Sequence, residues 1–514
     1  MMYDILIKNG KVYDGSGAEG FVADVAVQNG KIAAVGTDLK DAKQVIDATG
    51  LAVTPGFIDS HSHSDAAALT FPEQIEKVEQ GITTSIAGQC GTSPYPAWKE
   101  DGLHTMGEFL RRLEQTPLGA NMAVFVGHNA LRKAVMGMEN RAPTLEELEN
   151  MKLLLAEGMD AGAIGISFGL YYTPSGYAQL DELIALASTV AEKGGMIAAH
   201  IRNESSRLEE AVEEFISIVK ASGVRGILSH HKAGYPRNHG KTKKTLKMLE
   251  DAVAQGCDIY CDVYPYIASR TNLASVFIPK EYRDGTLGQQ LKDPQRRALL
   301  KEIGIRNYGT DLSWVLLNAC QAYPEYNGLW LQEAAVQHGK DQWDTLLDIL
   351  EKQPGCSGCY FTMCEEDVKR VISWPRSMIG TDASVAGKSL LYHPRMRGTF
   401  PRALGKYVRE EKVVSLAEMI RKMTSLPASV YNLETKGLLR PGYDADLCIF
   451  DPETITDKAT FTEPTLGAEG LHWVIVGGEI ASENAVSTGI KKGCLLKNTC
   501  RQLPTPPSPM NICP

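Results

Sequence analysis

Two histidines one residue apart close a short apolar run at Gly56-Phe57-Ile58-Asp59-Ser60-His61-Ser62-His63. A β-strand sends alternate side chains to opposite faces, so His61 and His63 face the same way. Two imidazoles on one face at a strand end suit a divalent metal. Most His-x-His pairs are surface or core histidines, so the pair needs company. It has it: Cys90 in Gly88-Gln89-Cys90-Gly91, His200 in Ala198-Ala199-His200, His230 in Leu228-Ser229-His230 and Asp382 in Ile379-Gly380-Thr381-Asp382. Each ends a strand-like run, where barrel enzymes build their sites. Imidazole, thiolate and carboxylate are the ligands zinc prefers. Singly each has a plainer reading: Cys90 as inert core, His200 and His230 as satisfied core histidines, Asp382 as a helix N-cap. Six such coincidences together are improbable.

The elements that would position these residues are strands alternating with amphipathic helices. Ala123–Val126, Ala163–Ile166, Met196–His200, Gly226–His230 and Ser377–Asp382 read as strands, and Leu208–Ile216 as a helix between two of them. Such alternation from about Gly56 to Leu433 predicts a parallel barrel. Residues 1–55 and 434–498 read as short β segments. Ile5–Tyr13 is expected to be a hairpin turning at Asn9-Gly10, and Asp24–Ile32 repeats the pattern at Asn29-Gly30. The two ends would then form one small β domain around the barrel, at 56–433. Polar residues from about 283 to 345, with Trp314, Trp330 and Trp343, break the rhythm and read as an insertion over the barrel mouth. The proline-rich tail, 499–514, is expected to be disordered.

At 514 residues the chain suits two to four domains. No stretch reaches the ~18 apolar residues of a membrane span, and the N-terminus lacks the features of a secretory signal. A net charge of −9 without a basic run argues against nucleic acid or an anionic membrane as partner. Eleven scattered cysteines suit reduced thiols and a cytoplasmic location rather than a disulfide framework. Cys356-Ser357-Gly358-Cys359 has no second pair at zinc-ribbon spacing and is expected to be a coincidence in a loop. Oligomeric state is open.

These motifs resemble the amidohydrolase superfamily. Within it the chain is similar to the N-acyl-D-amino-acid deacylases (D-aminoacylases). The closer similarity rests on Gly88-Gln89-Cys90-Gly91, Ala199-His200-Ile201-Arg202-Asn203-Glu204, Ser229-His230-His231-Lys232, Asp262-Val263-Tyr264-Pro265-Tyr266 and His393-Pro394-Arg395 through Arg402. The expected fold class is α/β: a metal-dependent (β/α)8 TIM-type barrel with a small β-sandwich domain built from both chain ends. Hydantoinase-like and dihydroorotase-like relatives bridge two metals with a carboxylated lysine on the fourth strand. The corresponding Ala163–Phe168 has no lysine, and Cys90 could supply the missing anion. The resemblance implies one tight Zn²⁺ on Cys90, His200 and His230, with the His61 and His63 site weaker or empty.

Zinc would polarise a scissile amide and its attacking water, with Asp382 as general base and then acid. His61 and His63 would orient Asp382 or hold a second metal. His231 points to the opposite strand face and stays outside the set. The resemblance further implies that Lys232 and Tyr264 contact the substrate α-carboxylate. Where the family usually has a small hydroxyl residue, Arg270 follows Ser269. Arg270 would bind that carboxylate bidentately, select an acidic side chain, or lie on the surface. The expected activity is zinc-dependent hydrolysis of a small-molecule N-acyl-D-amino acid. Alternatives are cyclic-amide hydrolysis and a metal-free assembly protein; the first fits poorly with the missing lysine, the second with six filled ligand positions.

Overall fold

A computed structural model describes residues 2–386 and 393–498; the tail expected to be disordered lies outside them. Eight short parallel strands carry the candidate residues. In chain order they are β1 (Phe57–Asp59), β2 (Ile82–Ala87), β3 (Asn121–Val124), β4 (Gly165–Gly169), β5 (Met196–His200), β6 (Arg225–Leu228), β7 (Ile259–Val263) and β8 (Ser377–Ile379). β1 pairs with β2 and β2 with β3. Past Phe125 the chain resumes as Val126–Gly127, which pairs with β4. The ladder then runs through β5, β6 and β7 to β8. The Ser60 amide donates to Ile379 O at 3.3 Å, and Ser62 forms a parallel bridge with Ala383, which sets the end of β8 beside the end of β1.

Every residue of β2, β4 and β5 is buried, as expected of parallel strands covered on both faces. Alternation still sorts the side chains. Met196 and Ala198 pack in one cluster with Ile58, Ile86, Ile227 and Met378. Ile197 and Ala199 pack in another with Leu183, Leu186, Val212 and Phe215 of the flanking helices. His200 has the parity of Met196 and Ala198 and so faces the inner side. The helix Leu208–Ser222 shows the matching pattern, with Leu208, Ala211, Val212, Phe215, Ile218 and Val219 buried on one stripe. Gly223 ends it with φ 69°, the left-handed cap that glycine adopts without strain.

The chain ends meet in one nine-stranded sheet, in which Ala52–Pro55 joins the N-terminal strands to Leu447–Phe450. One expectation fails here. Asn9-Gly10 makes no hairpin: Tyr3–Val12 is a single strand whose register shifts between Ile7 and Gly10, with Asn9 at φ 62°. This is a bulge. A Cβ on Gly10 would lie 2.4 Å from Val53 Cγ2, so that glycine serves close packing. Asn29-Gly30 does turn a hairpin, between Phe21–Gln28 and Lys31–Gly36.

The insertion expected at about 283–345 lies within a unit running from Ser269 to Tyr360. There Ser269–Asn272, Val315–Asn318 and Ser357–Tyr360 form an antiparallel sheet over a separate core that includes Phe277, Trp343 and Tyr360. Cys359 lies in the last of these strands, not in a loop, and is buried.

Beneath the strand ends, Lys77 is fully buried. It donates to Asp59 Oδ2 at 2.8 Å, Thr381 Oγ1 at 3.1 Å and Ala383 O at 3.2 Å. Asp59 in turn accepts from the Thr381 amide at 2.7 Å. This pair ties β1 to the segment after β8. Losing one partner strands a buried charge, so Lys77→Met is expected to destabilise the protein by about 3–5 kcal/mol in urea unfolding. A change below 1 kcal/mol would remove the pair from that role.

Candidate metal centre

The residues expected to hold metal converge. His61, His63, Cys90 and Asp382 place ligand atoms within 4.8 Å of one another, and so do Cys90, His200 and His230. Cys90 belongs to both groups. Its Sγ lies 3.3 Å from His61 Nε2 and 3.3 Å from His230 Nε2. Asp382 Oδ1 stands 3.0 Å from His63 Nε2 and 3.7 Å from His61 Nε2. His231 lies outside the set, bonded through Nε2 to Thr245 Oγ1 at 2.8 Å.

Backbone conformation delivers three of these side chains. Cys90, His230 and Asp382 follow β2, β6 and β8, and each has positive φ: 54°, 37° and 48°. Non-glycine residues enter that region at a cost, and such strain concentrates at functional sites. Gly169, the last residue of β4, faces the same loop. A Cβ there would lie 2.1 Å from Cys90 O. The end of the fourth strand therefore has no room for a side chain, because the Cys90 loop fills it.

A supporting layer packs against His61, His230 and Asp382. Asp262 is buried, accepts from the His230 amide at 2.7 Å and lies 3.2 Å from His61 Nδ1. Glu204 stands 3.0 Å from His230 Nδ1 and accepts from Lys232 Nζ at 2.6 Å. Carboxylates on the outer nitrogens of ligand histidines set tautomer and ring orientation. Arg395 Nη1 lies 2.8 Å from Asp382 Oδ2. Asp262, Glu204 and Arg395 all stand in motifs noted in the sequence, but their roles depend on partners distant along the chain.

Burial opposes charge throughout, and neighbours overrule it. Burial would push the Cys90 thiol up, yet His61 and His230 hold it well below the thiol range. Burial would lower His63, but Asp382 and Cys90 raise it to about 9. Burial would raise Asp382, and the Arg395 guanidinium holds it far below the carboxylate range instead. Burial lowers His200 below the usual imidazole range. Neither of its ring nitrogens has a hydrogen-bond partner, and Glu204 Oε2 is 3.6 Å from Nε2. A buried orphaned imidazole beside a thiolate and a second imidazole fits a soft-to-borderline divalent ion such as zinc.

Lys232, Tyr264 and Arg270 line the cavity above this centre, along with Arg395 and Tyr172. Lys232 Nζ sits 5.5 Å from the Tyr264 ring centroid and the Arg395 guanidinium 4.7 Å from it. Arg270, in Ser269–Asn272, reaches Asn318 Oδ1 through Nε at 3.4 Å. It lies within the cavity lining rather than on an outer face.

A family model described as an amidohydrolase family matches residues 44–269 and 366–481 and skips the insertion. D-aminoacylase of Alcaligenes xylosoxydans xylosoxydans is 36% identical over 97% of this chain and 98% of its own. An N-acyl-D-glutamate deacylase from Bordetella bronchiseptica, solved with zinc and a phosphonate mimic of the tetrahedral intermediate, superposes with a TM-score of 0.85 at 33% identity, covering 97% of this chain and 100% of that one. A D-aminoacylase studied for its binuclear metal centre, with one-metal activation and second-metal attenuation, superposes at 0.83 with 33% identity over 96% and 100%.

Cys90→Ala is expected to retain less than a tenth of the zinc that wild type keeps through dialysis, whereas His63→Ala keeps one ion. Elemental analysis of the dialysed proteins reads both. Full zinc in Cys90→Ala would remove the sulfur from the ligand set.

Proposed function

The chain belongs to the amidohydrolase family, and on that premise we propose that it is a zinc-dependent deacylase of N-acyl-D-amino acids. It hydrolyses the linear amide to a carboxylic acid and a free D-amino acid. The observation that carries this reading is the Cys90 sulfur shared by two imidazole groups with Asp382 beside it. Preference for the D-enantiomer rests on the relatives.

In this reading Cys90, His200 and His230 hold one tight zinc, and His61 and His63 with Cys90 and Asp382 offer a second, weaker site. When bound, zinc supplies a Lewis acid for the scissile carbonyl and the attacking water. Asp382 takes a proton from that water and passes it to the departing nitrogen, since an amine leaves poorly as an anion. Arg395 keeps Asp382 ionised and thus able to accept. His63 shares the other carboxylate oxygen and fixes its direction. Lys232 and Tyr264 receive the substrate α-carboxylate. Because Glu204 already partners Lys232 at 2.6 Å, the cationic charge there is shared, and Arg270 adds the further cation that an acidic D-amino acid needs for its second carboxylate.

The fold that accompanies this reading is a closed (β/α)8 barrel at 56–433, with the small β-sandwich domain at 1–55 and 434–498. The contacts between Ser60 and Ile379 and between Ser62 and Ala383 support closure, and the shared nine-stranded sheet supports the second domain. The described cysteines, all free, agree with a cytoplasmic setting.

Amine release from N-acetyl-D- and N-acetyl-L-amino acids tests the activity. D-substrates alone should be turned over, with Asp382→Asn slower by on the order of a thousandfold. Absence of turnover of every member by the zinc-loaded protein would overturn the reading. Among D-substrates, wild type should favour aspartyl or glutamyl side chains over leucyl ones. Arg270→Ser should reverse that ratio by about tenfold or more, since a charge-assisted bond is worth about 1.5–3 kcal/mol; an unchanged ratio would remove Arg270 from side-chain selection.

A further inference from the structure

The cavity over the metal centre measures about 940 Å³. That is near the top of the ~300–1,000 Å³ range that accommodates drug-sized ligands, and an N-acetyl amino acid is far smaller. The loops that follow β2 and β3 build one side of this cavity, its arm. Pro94, Pro96 and Trp98 line it from the first loop, and Ala130 and Ala134 from the helix His128–Met136, with Lys133 beside them. Trp98 is 65% exposed, a costly state for a large aromatic without a partner. Its indole Nε1 donates to Ala134 O at 2.6 Å, which ties the two walls together.

The arm's position relative to the clamp is what gives it a role. Lys232 follows β6 and Tyr264 follows β7. In the strand order the arm's loops follow β2 and β3, with β2 four places from β6 and β3 four places from β7. The arm and the clamp therefore face each other across the metal centre. A trans amide holds its Cα and its acyl chain at opposite ends of the C–N bond. With the α-carboxylate on Lys232 and Tyr264 and the carbonyl over the centre, the acyl chain leaves toward Pro94, Trp98 and Ala134.

We infer that this arm is an acyl subsite and that the preferred substrates are D-amino acids carrying an unbranched apolar acyl chain of about four to eight carbons rather than acetyl. The inference rests on the deacylase reading. Two prolines, two alanines and a tryptophan offer apolar surface to a chain, beside the polar Thr92, Ser93, Asn129 and Lys133, and each methylene buried on that surface should improve binding by up to about fourfold.

The test is kcat/KM for acetyl, butyryl, hexanoyl, octanoyl and succinyl derivatives of one D-amino acid, on the zinc-loaded enzyme. A rise of at least tenfold from acetyl to hexanoyl is expected, with butyryl ahead of succinyl. Ala134→Phe, which fills the arm, should abolish the rise, and Trp98→Ala should reduce the hexanoyl-to-acetyl ratio by about fivefold. A ratio that is flat or falls with chain length while the acetyl compound is still hydrolysed overturns the subsite but leaves the deacylase reading intact. Succinyl ahead of butyryl overturns it too, reassigning the arm to charged acyl groups through Lys133. If no member is hydrolysed, the deacylase reading fails and this inference falls with it. Hexanoate should also inhibit more strongly than acetate, and equal inhibition counts against the arm.

Discussion

One sulfur atom, shared between two sets of imidazoles, constrains most of this structure. For Cys90 Sγ to lie 3.3 Å from both His61 and His230, the loop after β2 has to cross the mouth of the strand array. Cys90 there has φ 54°, and its carbonyl lies 2.1 Å from where a Gly169 Cβ would stand. The fourth strand must then end in glycine and cannot project a lysine into the centre.

The same constraint explains the unusual density of buried charge. A thiolate and a carboxylate in a dry site are tolerable only with positive charge or hydrogen-bond donors beside them. His61 and His230 flank Cys90, and Arg395 flanks Asp382. Asp262 and Glu204 stand against the two imidazoles in turn, and Lys232 completes the Glu204 cluster. Below them Asp59 and Lys77 carry the alternation of charge into the floor. The network orients His61, His230 and Asp382 before any substrate arrives, which is what catalysis by positioned groups requires.

The residues that converge at the candidate centre could be picked out in the sequence because each one ends an apolar run that reads as a strand, and strand ends are where sites assemble. Their supporting residues could not. His61 and Asp262 are 201 positions apart, and no local pattern reveals that they meet. Arg395 stands in a motif visible in the sequence, yet nothing in residue order reveals that it pairs with Asp382. Asn9-Gly10 shows the opposite failure. The local signal for a hairpin was sound, as Asn29-Gly30 proves, but tertiary packing against Val53 converts the first copy into a bulge. Turn chemistry is local, whereas the choice between turn and bulge is made by what packs over it.

The central claim is that the Cys90 thiolate binds the metal directly. Cobalt(II) substituted for zinc reports this through a sulfur-to-metal charge-transfer absorption band in the near ultraviolet. The account predicts that band in the wild-type protein at one cobalt per chain and its loss in Cys90→Ser, with the weaker visible bands of nitrogen and oxygen ligation remaining. A wild-type spectrum without the band, or a Cys90→Ser spectrum that keeps it, would contradict the account.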